Sequence, residues 1–124
     1  MATSVRPFLM FQGGVAEEAM TFYASLFEGA EIHDVTRHPD GKIAKASITL
    51  IGQTVYCSDS PIAHAFTFTP SSSLFVECAS EDELRRLAKA LGAAELMPVD
   101  NYGFSRLFAW VNDRWGVSWQ LNLA

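Results

Sequence analysis

The feature that most constrains the fold is an internal repeat, because one order of predicted elements occurs twice along the 124 residues. Shifting the sequence on itself by 65 positions places Glu18 on Glu83 and Leu26 on Leu91. Identity between the halves is slight, but the order of elements and the phase of the helical stripes agree. A duplicated supersecondary unit explains this agreement. It predicts two modules, residues 5–59 and 72–124, within one domain covering 1–124.

Each module is predicted to contain a strand, a helix and three further strands. In the first module, an apolar stripe with helical spacing predicts a helix over 15–28, and its members are Val15, Ala19, Phe22, Tyr23 and Leu26. Turn signals at Pro39–Lys42 and at Gly52–Gln53 separate the later strands. The predicted strands are 5–12, 30–37, 43–50 and 54–59.

The second module is predicted to begin its helix with a capping box. Ser80 and Glu83 have the spacing at which each side chain accepts a hydrogen bond from the other residue's amide. Gly92 follows the helical stripe as the predicted C-terminal cap. The stripe consists of Leu84, Leu87, Ala88 and Leu91. The predicted strands are 73–79, 95–99, 107–111 and 117–123, and residues 60–72 are predicted to be a crossover.

This element order predicts an α+β fold made of duplicated βαβββ modules. The alternative is a dimeric ferredoxin-like barrel, which has the order β-α-β-β-α-β and two helices on one side of its sheet. Three strand signals between Ala30 and Asp59, followed by a loop, favour the duplicated module.

Composition and charge argue against several functional classes. The formal net charge of −5 and the pI near 5.0 argue against nucleic-acid binding, which needs clustered Lys and Arg. No apolar run approaches the roughly 18 residues of a membrane span, and the N-terminus does not resemble a signal peptide. Cys57 and Cys78 lie in predicted strands and do not suggest a disulfide framework. We therefore expect a cytoplasmic protein with neither nucleic-acid nor membrane partners.

Five stretches of the sequence carry a family resemblance: Pro7–Phe11, Ala16–Ala19, Phe68–Val76, Met97–Asp100 and, most specifically, Trp110–Leu121. They resemble the vicinal oxygen chelate superfamily, which includes glyoxalase I, extradiol dioxygenases and the bleomycin and fosfomycin resistance proteins. The resemblance is closer to its PhnB-like branch, labelled with the 3-demethylubiquinone-9 3-methyltransferase name. The resemblance implies that the modules form a partly open barrel, or cup, with the helices outside.

The resemblance also implies where a metal would bind. In the metal enzymes of the superfamily, a His, an acid, a second His and a Glu hold a divalent ion in the cup. The matching positions here are Phe8, a residue near Tyr56–Cys57, Ser73 and Gln120. Phe8 cannot coordinate a metal, and Ser73 and Gln120 are neutral, weak ligands. We therefore predict no bound metal, no other cofactor and no glyoxalase activity.

Strand alternation predicts which side chains face the cup. Helix-side residues alternate with inward ones, which are Phe8, Met10, Gln12, Ser73, Phe75, Glu77, Ser118, Gln120 and Asn122. Aromatic rings at one level and amides at another suit a small, partly polar molecule. The alternative is that these side chains simply fill the barrel. A binding protein for an unknown small molecule is the main hypothesis.

An enzyme of the same superfamily is the rival hypothesis, although no catalytic residue is assigned. Glu77 is the one acid placed inward, and a buried carboxylate there could be a general base. A methyltransferase would need a site for S-adenosylmethionine. Gly13–Gly14 follows a strand but lacks the third, spaced glycine of a nucleotide-binding turn, so the label is not supported by a motif.

The chain is also predicted to be a homodimer. Trp110, Trp115 and Trp119 crowd the last hairpin, and Phe66 and Phe68 lie in the crossover. A monomer would leave Trp115 largely in solvent beside a turn, and exposed large aromatic residues are typical of interfaces.

Overall fold

A computed structural model describes residues 1–124, which form two compact units, Met1–Ala65 and Phe66–Ala124. Each unit contains one helix and one four-stranded sheet. The elements of the first unit are β1 (Phe8–Phe11), α1 (Ala16–Leu26), β2 (Glu31–Arg37), β3 (Ile43–Leu50) and β4 (Gln53–Asp59). Those of the second are β5 (Leu74–Glu77), α2 (Glu81–Leu91), β6 (Ala94–Asp100), β7 (Leu107–Asn112) and β8 (Ser118–Leu123).

The two sheets have the same topology. The strand order is β1-β4-β3-β2 in the first unit and β5-β8-β7-β6 in the second. In both, the first strand pairs in parallel with the last, and the remaining neighbours are antiparallel. The helix of each unit packs on its own sheet, α1 against β2, β3 and β4 and α2 against β7 and β8. The predicted duplicated βαβββ fold is confirmed, and the ferredoxin-like alternative is excluded.

One free amide at the start of each helix is satisfied by a side chain, but the side chain differs between the units. Val15 offers no side-chain cap, and the carboxylate of Asp59 at the end of β4 accepts the N–H of Ala16 at 2.8 Å. In the second unit, Ser80 Oγ accepts the N–H of Glu83 at 3.2 Å. Glu83 accepts in return from Ala79 N–H at 2.7 Å rather than from Ser80, so the reciprocal bond is one residue away from the predicted one.

The buried stripe of α1 differs from the predicted one. The buried residues are Ala16, Ala19, Met20 and Tyr23, whereas Phe22 and Leu26 are half-buried. The helix is apolar on most of its surface, so the spacing alone did not select the buried face. In α2 charged residues surround a single stripe, and Leu84, Leu87 and Leu91 are buried as predicted.

Two turn predictions are also corrected. The hairpin between β3 and β4 turns at Ile51 and Gly52, with φ of 46° and 79°, and Gln53 belongs to β4. Positive φ at both turn residues is typical of the tight turn whose twist matches the flanking strands. Gly92 has φ −75°, so it is not a left-handed cap, although its N–H still donates to Ala88 O.

Neither helix is long and apolar enough to cross a membrane.

Candidate functional site

Each sheet has one face under its helix and one turned away from it, which we call the distal face. In the second unit Trp119 and Leu121 are buried, and Val111 lies against the end of α2 near Gly92. Because side chains alternate along a strand, the intervening residues belong to the distal face. They are Ser73, just before β5, with Phe75, Glu77, Phe108, Trp110, Asn112, Ser118, Gln120 and Asn122.

All six site residues predicted in the second half lie on this distal face, and the strand register brings them into rows. Gln120 Nε2 donates to Ser73 Oγ at 2.8 Å. Asn122 Nδ2 donates to Glu77 Oε2 at 3.1 Å, and Ser118 Oγ accepts from the indole N–H of Trp110 at 2.7 Å. The parallel pairing of β5 with β8 places Glu77 opposite Asn122, whereas Gln120 reaches Ser73 diagonally and the Trp110–Ser118 bond crosses from β7 to β8.

An aromatic cluster, defined here as Phe75, Tyr102, Phe104 and Phe108, lies on the same face. The ring of Phe108 is 5.0 Å from that of Phe104, 6.2 Å from that of Tyr102 and 6.4 Å from that of Phe75. Phe108 is buried beneath the others, whereas Phe75, Phe104 and Tyr102 are 52%, 62% and 39% exposed. The cluster therefore presents a partly exposed aromatic surface beside the Glu77–Asn122 row.

The sequence prediction missed three of these four rings. Tyr102 and Phe104 lie between β6 and β7, in a loop without periodicity that could indicate where a side chain points. Phe108 was detectable, because alternation along β7 places it opposite Asn122 on the distal face. The alternation along β7 is therefore the sequence signal that indicates the position of Phe108.

The first unit's distal face carries Phe8 and Met10, but it has a different character. Phe8 is opposite Tyr56 in the register, with ring centroids 6.4 Å apart. Lys45 Nζ lies 4.1 Å from the centre of the Tyr56 ring, and the Arg6 guanidinium carbon lies 5.5 Å from it. This face is therefore cationic, and its tyrosine already contacts two positive charges.

Gln12 differs from the other predicted site residues. It follows β1, and its Oε1 accepts the N–H of His64 at 2.8 Å, which ties the segment after β4 to the end of the first strand. This contact assigns Gln12 a structural role within the first unit.

The residues at the expected metal-ligand positions do not fit a divalent ion. Phe8 packs beside Tyr56 in the first unit. In the second unit the amide of Gln120 donates to Ser73 Oγ at 2.8 Å, so the two groups already satisfy each other. No cluster of three or more His, Cys, Asp or Glu side chains occurs in the structure. The donor set is neutral and weak compared with the imidazoles and carboxylates that such ions prefer.

The base role considered for Glu77 depended on burial of its carboxylate. The structure places Glu77 at an exposed position on β5, with its Oε2 accepting from Asn122. The exposed position lacks the burial on which the base role depended, and the contact with Asn122 suits Glu77 to binding.

A separate polar cleft of about 240 Å³ lies in the first unit and contains none of the predicted site residues. Asp59 is buried at this cleft, where its carboxylate accepts the N–H groups of Ala16 and Ile43 at 2.8 and 2.9 Å. This carboxylate therefore holds the helix and the hairpin together. The lining residues are Gly13, Gly14, His38, Asp40, Lys42, Asp59, Ser60 and Pro61.

A sequence profile for 3-demethylubiquinone-9 3-methyltransferase matches residues 3–122, nearly the whole chain. The chain belongs to this family. Within the family it is PhnB-like: it is 45% identical to the PhnB protein from Bacillus cereus, with a TM-score of 0.93, and the match covers 98% of this chain and 100% of that one.

Solved structures of lower sequence identity share the fold of this chain. A glyoxylase/bleomycin resistance protein/dioxygenase domain from Frankia is 18% identical, with a TM-score of 0.65 and coverage of 100% of this chain and 93% of that one. The fosfomycin resistance protein FosX from Listeria monocytogenes is 14% identical, with a TM-score of 0.65 and coverage of 98% and 93%. No functionally curated protein is significantly similar in sequence to this chain.

Proposed function

We propose that this PhnB-like protein binds a small, partly polar organic molecule on the distal face of its second unit. The observation that carries the proposal is the aromatic cluster beside the Glu77–Asn122 row. Three partly exposed rings offer apolar contact area, while the amides and the carboxylate can fix a ligand's orientation. Sites of this composition are typical of small-molecule recognition.

Binding is proposed to need no metal, and a glyoxalase reaction is not expected. FosX was crystallised with Mn(II), so a protein of this fold can hold a divalent ion. Here the hydrogen-bonded Ser73–Gln120 pair and Phe8 replace the donors that such an ion needs. Calorimetric titration with Ni²⁺ and Zn²⁺ should give no stoichiometric binding. Tight binding of one ion per chain would contradict metal independence.

The binding site can be tested with a fragment screen observed through amide chemical shifts. A fragment of about 12 non-hydrogen atoms, at about −0.3 kcal/mol each, would bind with a Kd in the millimolar range. We expect hits to shift the amides of the aromatic cluster and of Glu77. The Phe104→Ala substitution should weaken the binding of these fragments, because Phe104 is the most exposed ring of the cluster.

Ile62→Ala is the matched control, since Ile62 is a similarly exposed apolar residue, 66% accessible, in the other unit. It should leave fragment binding unchanged. A screen whose hits all bind elsewhere, or equal binding by the Phe104→Ala variant, would overturn the proposed site.

The second candidate is a methyltransferase, favoured only by the description of the matching family. Gly13 and Gly14 do lie between β1 and α1, but the sheet then continues with antiparallel hairpin strands rather than with a second parallel unit. Calorimetry with S-adenosylmethionine separates the two candidates. Micromolar, stoichiometric binding would favour the methyltransferase.

A cytoplasmic location and a homodimeric state complete the proposal. Both cysteines are free and buried, which suits a reducing compartment. The large apolar residues still exposed, among them Phe66 at 61%, support association between copies.

A further inference from the structure

We propose that the ligand of the second unit's distal face is an organic cation that carries an N–H donor, such as a protonated amine. This inference rests on the proposed binding site and names the chemical class of its ligand. Its evidence is the combination of aromatic rings, unpaired carboxylates and an unsatisfied amide oxygen on one face.

The carboxylates favour a positive charge. Glu77, Asn122, Phe108 and Asp100 follow one another across the sheet in a single row of the register. The row therefore has a carboxylate at each end and a ring between them. Neither carboxylate forms an ion pair: Glu77 accepts only from Asn122, and Asp100 only from the neighbouring Asn101 N–H. No Lys or Arg is among the strand residues of this face, and Arg106, which precedes β7 in the same phase, donates to the backbone oxygen of Ala124 at 2.7 Å and to neither carboxylate.

The unsatisfied polar atom on this row is an acceptor. Asn122 is 7% exposed, and its Oδ1 is buried without a hydrogen-bond partner. Its Nδ2 donates to Glu77, which fixes the orientation of the amide, because the reverse orientation would oppose two oxygens. A ligand that provides an N–H would satisfy this oxygen and the free capacity of the carboxylate together, whereas an anion would be repelled by both.

The aromatic cluster supplies the third element. A cation over the face of an aromatic ring is attracted by the ring's electrons, and clustered rings beside an acid are suited to ammonium groups. The first unit already shows this contact within the chain, since Lys45 and Arg6 lie over Tyr56. In the second unit the exposed rings of the aromatic cluster have no such cation, so we infer that the ligand provides it.

Three probes of similar shape test the charge: benzylammonium, benzyl alcohol and benzoate, each titrated into the labelled full chain and observed by amide chemical shifts. We expect benzylammonium to bind at the aromatic cluster about tenfold more tightly than benzyl alcohol, a difference of about 1.4 kcal/mol. Benzoate should bind least. Glu77→Gln keeps the acceptor for Asn122 and removes the charge, so the preference should fall to about threefold or less.

Glu95→Gln is the matched control. Glu95 is in the same unit but pairs with Val111 on the helix side of the sheet, so this variant should retain the full preference. Equal binding of benzylammonium and benzyl alcohol at the cluster would leave the binding site standing and overturn its assignment to a cation. If none of the three probes shifts the cluster, or if its amide shifts depend on protein concentration because a second copy covers the face, both the site and its ligand class are wrong.

Discussion

Removing the carboxylate of Asp113 should destabilise the second unit more than any other single polar change in it. Asp113 is 4% exposed in the turn between β7 and β8. Its Oδ1 accepts the N–H groups of Trp115 and Val117 at 2.9 and 3.0 Å, and its Oδ2 accepts the indole N–H of Trp119 at 3.0 Å. One side chain therefore satisfies three donors and fixes the last hairpin.

The size of the effect follows from these three contacts. The Val117 and Trp119 donors are buried, and each would cost about 1–3 kcal/mol when left without a partner. Water can reach the half-buried Trp115 amide, so its loss should cost about 1 kcal/mol. Asp113→Ala should therefore lower the free energy of unfolding by about 4 kcal/mol. Asp113→Asn keeps one acceptor but places its NH₂ against the Trp119 indole, and it should cost about 2 kcal/mol.

Urea denaturation followed by tryptophan fluorescence is the appropriate assay, because all three tryptophans lie in the second unit. Asp100→Ala is the control: Asp100 is an exposed residue of the same unit that accepts a single N–H, from Asn101 at 2.7 Å, and its loss should cost less than about 1 kcal/mol. An Asp113→Ala variant within about 1 kcal/mol of the parent would refute this reasoning.

Three further predictions concern the helix cap, the thiols and the oligomeric state. Ser80→Ala should cost about 1 kcal/mol in urea denaturation because α2 loses its N-cap, whereas Ser25→Ala, which removes an exposed hydroxyl inside α1, should be nearly neutral. Burial raises the pKa of Cys57 from 9.0 to about 12, with a further contribution from Asp59, and burial raises that of Cys78 to about 11, with a contribution from Glu83. Between these values and pH 9, the folded thiols retain protons that the unfolded chain loses. The contribution of the thiols to stability should therefore be complete below pH 9 and should fall as pH rises towards 11–12. Rapid labelling of the folded protein by Ellman's reagent at pH 8 would contradict the burial of these thiols. Light scattering at micromolar concentration should give a molar mass of about twice 13.7 kDa, and a mass near 13.7 kDa would contradict the dimer. Trp115 supports the dimer less than the sequence predicted, because it is half-buried beside Arg114.

The fold was predictable because two independent halves had to satisfy one pattern. The predicted limits of β3, Ile43 and Leu50, match the structure, although Ala46, Ser47 and Ile48 are all buried, so its two faces differ less in exposure than the alternation predicts. Element ends were less predictable, since β1 forms only over Phe8–Phe11 although the apolar pattern extends further. Periodicity indicates which element forms, but pairing with the neighbouring strand decides where it ends.

The candidate site was predictable only where strands supply it. Alternation along β5 and β8 indicated the face of the sheet that these strands' site residues share, because alternation is a property of the backbone, whereas their role in ligand binding stays a prediction. Tyr102 and Phe104 could not be placed, since their positions depend on contacts with Phe108 rather than on any repeat. The loop between β6 and β7 is therefore the part of the candidate site that sequence periodicity could not describe.

The two halves share a backbone frame but not the chemistry of their distal faces, and this difference bears on the ligand. Met10 pairs with Ser58 in the first unit as Phe75 pairs with Gln120 in the second. The strand beside Ser58 then carries Lys45, whereas the strand beside Gln120 carries Trp110. The first face thus supplies its own cations to its tyrosine, while the second presents rings and carboxylates without them. The two halves therefore share their sheets and helices, but the buried oxygens without a hydrogen-bond partner, Asn112 Oδ1 and Asn122 Oδ1, both lie on the second face. That asymmetry is why the second unit, and not the first, is the place to look for a cationic ligand.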